Sequence, residues 1–178
     1  MDFRLSRMSY LADFVLVPLY IAVAVISAFV FGTPTMEWLF LFCGGVTAWT
    51  LAEYVTHRWL FHWLYKEEHW RHHRRPLDWI GVPPLLTGLV LAIVYLFALQ
   101  LGWGYGGMLF AGFAFGYFSY IIIHFSIHHT SGSEVAKLRA THEMHHKGVE
   151  ANFGVSTNLW DHIFRSYIPP GKVESFPK

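Results

Sequence analysis

Cysteine is nearly absent from this sequence: the one thiol, Cys43, sits in an apolar stretch and reads as a core residue. That excludes a disulfide framework and a thiolate metal site. Charge is scarce too, at 14% of residues against 54% hydrophobic, which excludes an ordinary soluble domain. The net charge of +1 is close to balance, and no nucleic-acid partner is expected. There is no internal repeat and no low-complexity tract. A cleavable leader is not expected either, because the first apolar run carries only Asp13, lacks a small-residue exit and is long enough to cross a bilayer.

What is present in quantity is apolar sequence in long runs. Residues 11–31 supply about the 20 residues that a bilayer requires. After a turn at Gly32, Thr33, Pro34 and Thr35, a second span is predicted over residues 36–57, its end carrying Glu53 and His57 out of the lipid. A polar, basic middle segment follows, with a short helix that Pro76 ends. Pro83 and Pro84 suit the first turn of a third span over residues 85–101, where their missing N–H groups are unpaired anyway. The stretch GWGYG reads as a loop before a fourth span over residues 108–124, in which Gly112 and Gly116 permit close helix packing. All thirteen Lys and Arg fall in the N-terminus, the middle segment or the C-terminal segment, so both termini are expected on the cytoplasmic side. Ser131 and Glu134 fit a capping box for a further helix that Gly148 stops.

Histidine is the other abundance. Eleven of twelve fall in four groups, HRWLFH, HWRHH, HFSIHH and HEMHH, and His162 stands apart. Residues three and four apart share a helical face, so His69, His72 and His73 converge, as do His142, His145 and His146, and His124 with His128. His57 and His62 are five apart, about 140° round a regular helix, and are predicted to straddle a helix end. These ten imidazoles are too many for one metal and suit two at five each. Neutral imidazole selects a transition ion over Mg or Ca. His129 and His162 lie outside the spacing and read as residues of the layer behind the ligands or of the surface. Glu53, Glu67, Glu68, Glu143 and Asp161 are the candidate acceptors of the ligands' outer N–H groups. The tail NFGVSTNLWDHIF is expected to lie back over the site.

A metal site at the membrane boundary suits a substrate whose tail stays in lipid, and breaking an unactivated C–H bond calls for a cofactor such as two irons with dioxygen. AEYVTHRWLFH, HWRHH, HFSIHH, HEMHH and NFGVSTNLWDHIF resemble the fatty acid hydroxylase superfamily over residues 50–168, and within it the hydroxylase domain of fatty acid 2-hydroxylases. By length the chain is one domain over residues 1–178, and the spans and charges make it an all-α integral membrane bundle of four transmembrane helices with a cytoplasmic histidine-rich helical cap; the resemblance likewise implies a four-span helical hydroxylase. It implies two Fe, exchangeable for Zn in purified protein, on His57, His62, His69, His72, His73, His124, His128, His142, His145 and His146. It also implies insertion of one oxygen atom of O2 into an acyl lipid beside its carbonyl.

Many relatives carry a fused cytochrome b domain. Residues 1–50 hold no histidine that could ligate haem, so a separate electron donor of cytochrome b or ferredoxin type is expected. The membrane is a bacterial inner membrane or the endoplasmic reticulum. The alternatives are a sterol or carotenoid hydroxylase or desaturase with the same site, and a zinc-dependent lipid hydrolase. A metal carrier would place its ligands near mid-bilayer, and haem needs only two axial histidines.

Overall fold

In a computed structural model of the chain, residues 4–148 and 150–170 are described. The chain ends, expected from sequence to be cytoplasmic, reach into residues 1–3 and 171–178, which lie outside the described residues. The described elements are helical: α1 (Arg7–Leu11), α2 (Asp13–Phe31), α3 (Glu37–Val55), a π-helix (Thr56–Leu64), α4 (Lys66–Arg74), α5 (Pro84–Ala98) with a 3-10 turn (Leu99–Leu101), α6 (Trp103–His129), α7 (Ala136–His146) and α8 (Leu159–Ile163). Four helical stretches, Arg7–Phe31, Glu37–Leu64, Pro84–Leu101 and Trp103–His129, are long and apolar enough to cross a membrane. The molecule is an all-α integral membrane protein.

The chain divides into two compact units, Met1–Thr50 with Asp78–Ile121, and Leu51–Leu77 with Ile122–Lys178. In the first, Val17, Ala24, Leu91, Ala98, Phe110, Ala111 and Ala114 form the buried cluster. Its larger apolar side chains, such as Leu19, Val23, Ile26, Phe40 and Phe97, point outward, as a lipid-facing surface requires. Small residues set the helix spacing: a Cβ on Gly112 of α6 would lie 2.0 Å from the Phe42 carbonyl oxygen of α3, so only glycine admits this approach. Inside this unit, Tyr117 donates to Asp13 at 2.6 Å, and Ser27 and Tyr95 share a 2.5 Å hydrogen bond.

Three expectations are corrected here. GWGYG is not a loop: Gly102, at φ +88°, makes the turn alone, and α6 begins at Trp103. Glycines 104, 106 and 107 are needed for close contact with Trp38, Ala98 and Ala28 rather than for bending. Cys43 is exposed on α3, not buried; along a membrane helix an apolar stretch faces lipid as readily as core. The capping box is absent as well, since α7 starts at Ala136, with Val135 at its N-cap and no side-chain capping bond.

Candidate metal centre

The second unit is built around imidazole. His57 and His62 lie in the first and the last turn of one π-helix, not across a helix end. An i→i+5 backbone ladder stacks residue i+5 over residue i, as in the Tyr65 N–H to Leu60 carbonyl bond of 2.9 Å. The interval that misfits an α-helix is the one that a π-helix aligns, and the two rings stand 5.4 Å apart. α4 contributes His69, His72 and His73, the end of α6 His124 and His128, and α7 His142, His145 and His146.

These ten rings form two groups: His57, His62, His69, His73 and His145, and His72, His124, His128, His142 and His146. Within each group the five ligand atoms lie within 4.8 Å of one another. Eight Nε2···Nε2 contacts, four in each group, measure 2.9 to 3.2 Å. They cannot all be hydrogen bonds. His69 Nε2 alone meets the Nε2 atoms of His57, His62 and His73, whereas a ring nitrogen offers one proton or one lone pair.

A shared cation would account for the crowding. Donors at right angles, each ~2.1 Å from one ion, lie ~3.0 Å apart, whereas a tetrahedral pair lies ~3.4 Å apart. The residues present therefore fit two ions of five or six coordination. The groups share a wall, because the His73 ring of the first stacks on the His146 ring of the second at 4.3 Å.

The protonation states suit ligation. His57 Nδ1 donates to the Phe153 carbonyl at 2.5 Å and His145 Nδ1 to the Ala151 carbonyl at 2.8 Å, which leaves each Nε2 lone pair aimed into the group. Burial, reinforced by neighbouring imidazoles, pushes His69, His72 and His142 well below the usual histidine range, and His73 and His146 down to about 2 and about 3. All five are neutral donors at pH 7. Phe61 and Phe153 pack their rings against the first group.

The carboxylates act one layer further out than sequence suggests. Glu53 accepts from the Val155 and Ser156 N–H groups at 2.6 and 2.9 Å and from the Ser156 hydroxyl. Asp161, fully buried, accepts from the Phe153 and Gly154 N–H groups at 2.9 and 2.8 Å and from Ser166 Oγ at 2.8 Å. Burial raises the Asp161 pKa, and these bonds together with the Arg58 charge oppose the rise. Three donors converging on it are what an ionised carboxylate requires. Both side chains thus clamp the 153–156 backbone, and Phe153 passes the constraint to His57.

Arg58 extends the network, donating to Tyr54 at 2.6 Å; Tyr54 donates to Ser166, and Ser166 to Asp161. Asn152, buried at φ +56°, locks the loop by pairing side chain to backbone with Ile168. Glu67 and Glu143 are exposed, and Glu68 pairs with Arg71 at 2.8 Å. His129 stacks on Phe125, and His162 is exposed against Tyr167. Sequence reasoning missed Tyr54, Asn152 and Ser166, and the carbonyls of Ala151 and Phe153 carry no side-chain signal at all.

The profile of the fatty acid hydroxylase family matches residues 42–166. The chain is 36% identical to mouse fatty acid 2-hydroxylase, over 82% of this chain and 43% of the relative. It is 40% identical to the Saccharomyces cerevisiae ceramide very long chain fatty acid hydroxylase SCS7, over 74% of this chain and 38% of the relative. The chain thus spans about two fifths of the length of these relatives. A solved structure of full-length scs7p, in which only the hydroxylase domain is visible, superposes with a TM-score of 0.73 at 30% identity, covering 98% of this chain and 71% of that one. The family profile covers most of the chain, including all ten clustered histidines, and the chain belongs to the fatty acid hydroxylase family.

Proposed function

We propose that this chain hydroxylates a fatty acyl chain of a membrane lipid at the 2-position, using two irons held by the ten histidines. The observation that carries the reading is the pair of five-nitrogen groups with right-angle spacing and a shared wall. The names of the mouse and yeast relatives support the acyl substrate and the position. When bound, the irons supply the activation of O2 that C–H cleavage needs. In the net reaction a C–H bond, O2, two electrons and two protons become C–OH and water. The electrons come from a separate donor of cytochrome b or ferredoxin type, and the positive-inside asymmetry of the sequence supports a cytoplasmic side for both termini and the histidines.

The protein's own part is to keep His69, His72, His73, His142 and His146 neutral, to orient His57 and His145 through the Phe153 and Ala151 carbonyls, and to pack Phe61 and Phe153 against the first group. Five nitrogens at right-angle spacing leave a hydrolytic zinc, with its tetrahedral preference and open position, poorly served. The test is metal content with lipid analysis in cells expressing the wild type and His145→Ala. Two irons per chain and a 2-hydroxylated acyl species, both lost in the variant, are expected. Two zincs with no oxygenated lipid, persisting after addition of iron and reductant, would sink the reading, and an oxygenated sterol or carotenoid instead would move its substrate.

A further inference from the structure

α7 has no capping side chain, and what fixes its start is Arg139, whose guanidinium reaches back to the end of α6. Nε donates to the Ile127 carbonyl at 3.1 Å, Nη1 to Gly132 at 3.0 Å, and Nη2 to Ser126 at 3.2 Å and Thr130 at 3.0 Å. Four of the five N–H donors of the arginine fork are used on backbone carbonyls. A cation at a helix C-terminus is favourable in its own right.

The position of this bracket matters. Ser126 and Ile127 lie between His124 and His128 on α6, and Arg139 precedes His142 on α7 by three residues. The bracket therefore sets how the α6 pair meets the α7 pair, where His128 and His142 stand 3.1 Å apart. The first histidine group is held differently, through the Phe153 and Ala151 carbonyls. In the second, two of the five rings, His72 and His142, find no acceptor among the described residues for their buried Nδ1, against His73 alone in the first, so the placement of the helices has more to do.

The geometry points to Arg139 as the positioning residue of the second metal pocket, an inference that rests on the two-metal reading above. Lysine cannot replace it, since a single ammonium nitrogen does not reach four carbonyls on two segments.

The test uses the full chain in detergent micelles, stripped of metal and titrated with Co²⁺, whose visible absorption reports occupancy and coordination, against a competing chelator. The wild type binds two ions. In Arg139→Ala the first ion keeps its affinity within ~3-fold while the second weakens by at least ~30-fold, the scale of an outer-layer loss, and millimolar guanidinium restores part of it. Arg139→Lys shows a smaller loss confined to the second ion, and it decides the matter if the alanine variant does not fold. Two ions held as tightly as in the wild type, or both weakened equally, overturn the assignment. A wild-type chain that takes up fewer than two ions overturns the two-metal reading itself, so the two failures are told apart.

Discussion

The two units of this protein solve the problem of an interior in opposite ways. The first contains no histidine and the second holds all twelve. Of the twelve buried polar or charged residues among those described, only Asp13 and Thr87 belong to the first unit. In lipid there is no hydrophobic drive to bring helices together, so the first unit relies on close contact between small residues. The second relies on buried polar groups that hold one another, an arrangement that is costly when one partner is lost. One unit is specified by shape and the other by chemistry, and the two should break under different insults.

Acid is the insult that should separate them most. His73 and His146 are pushed down to about 2 and about 3, and His69, His72 and His142 also lie well below their ordinary value. The unfolded chain titrates these groups near ~6.5. Between that value and the folded ones the unfolded state binds more protons, so the stability from keeping the rings neutral is complete above pH ~6.5 and falls as pH falls. Thermal unfolding of metal-free protein in detergent from pH 8 to pH 5 should show a decline that begins near pH 6.5 and is reported by Trp59, Trp63 and Trp70 of the second unit. A flat profile would mean that the histidines are already accessible to protons.

Next in size is Asp161→Ala. It leaves the Phe153 and Gly154 N–H groups and the Ser166 hydroxyl without their acceptor in a fully buried place. Each such group costs about 1–3 kcal/mol, so a loss of at least ~3 kcal/mol is expected, together with weakened metal uptake through His57. Isothermal titration with Co²⁺ and chemical unfolding of the metal-free protein check the two parts. Unchanged affinity would show that the loop does not orient His57.

How much of this was legible in the sequence follows the same division. The spacing rule assembled His69, His72, His73, His124, His128, His142, His145 and His146 because α4, α6 and α7 are regular helices with a 3.6-residue period. It also gathers His57 and His62, but it sets them across a helix end because five-residue spacing is judged against an α-helix, and no single residue type announces a π-helix. Glu53 and Asp161 were recognised as candidates by type, but their targets are backbone N–H groups, and the acceptors of the imidazole N–H groups are carbonyls, to which every residue contributes alike. Cys43 was misplaced because hydropathy along a membrane helix does not tell lipid from core. The capping box failed because a serine and a glutamate at the right interval do not fix a helix start that an arginine three residues inside α7 already anchors.

The smallest of the expected effects tests the first unit alone. Gly112→Ala adds one methyl group where the Phe42 carbonyl would stand 2.0 Å away and its carbonyl carbon 2.7 Å. Both are backbone atoms, so no side chain can swing aside, and relief requires α3 and α6 to separate along their contact. Overpacking of this kind costs about 1–3 kcal/mol, which for a chain of this length is a fall of roughly 2–4 °C per kcal/mol in unfolding temperature. No polar group loses a partner and no histidine is touched, so Co²⁺ affinity of the folded variant should stay within ~3-fold of the wild type, well inside the loss typical of an outer-layer ligand defect. Lower unfolding temperature with intact metal binding would sharpen the contrast between a unit held by shape and one held by paired polar groups. A variant as stable as the wild type would show that the helices have room to spare, and that the glycine is there for some reason other than contact.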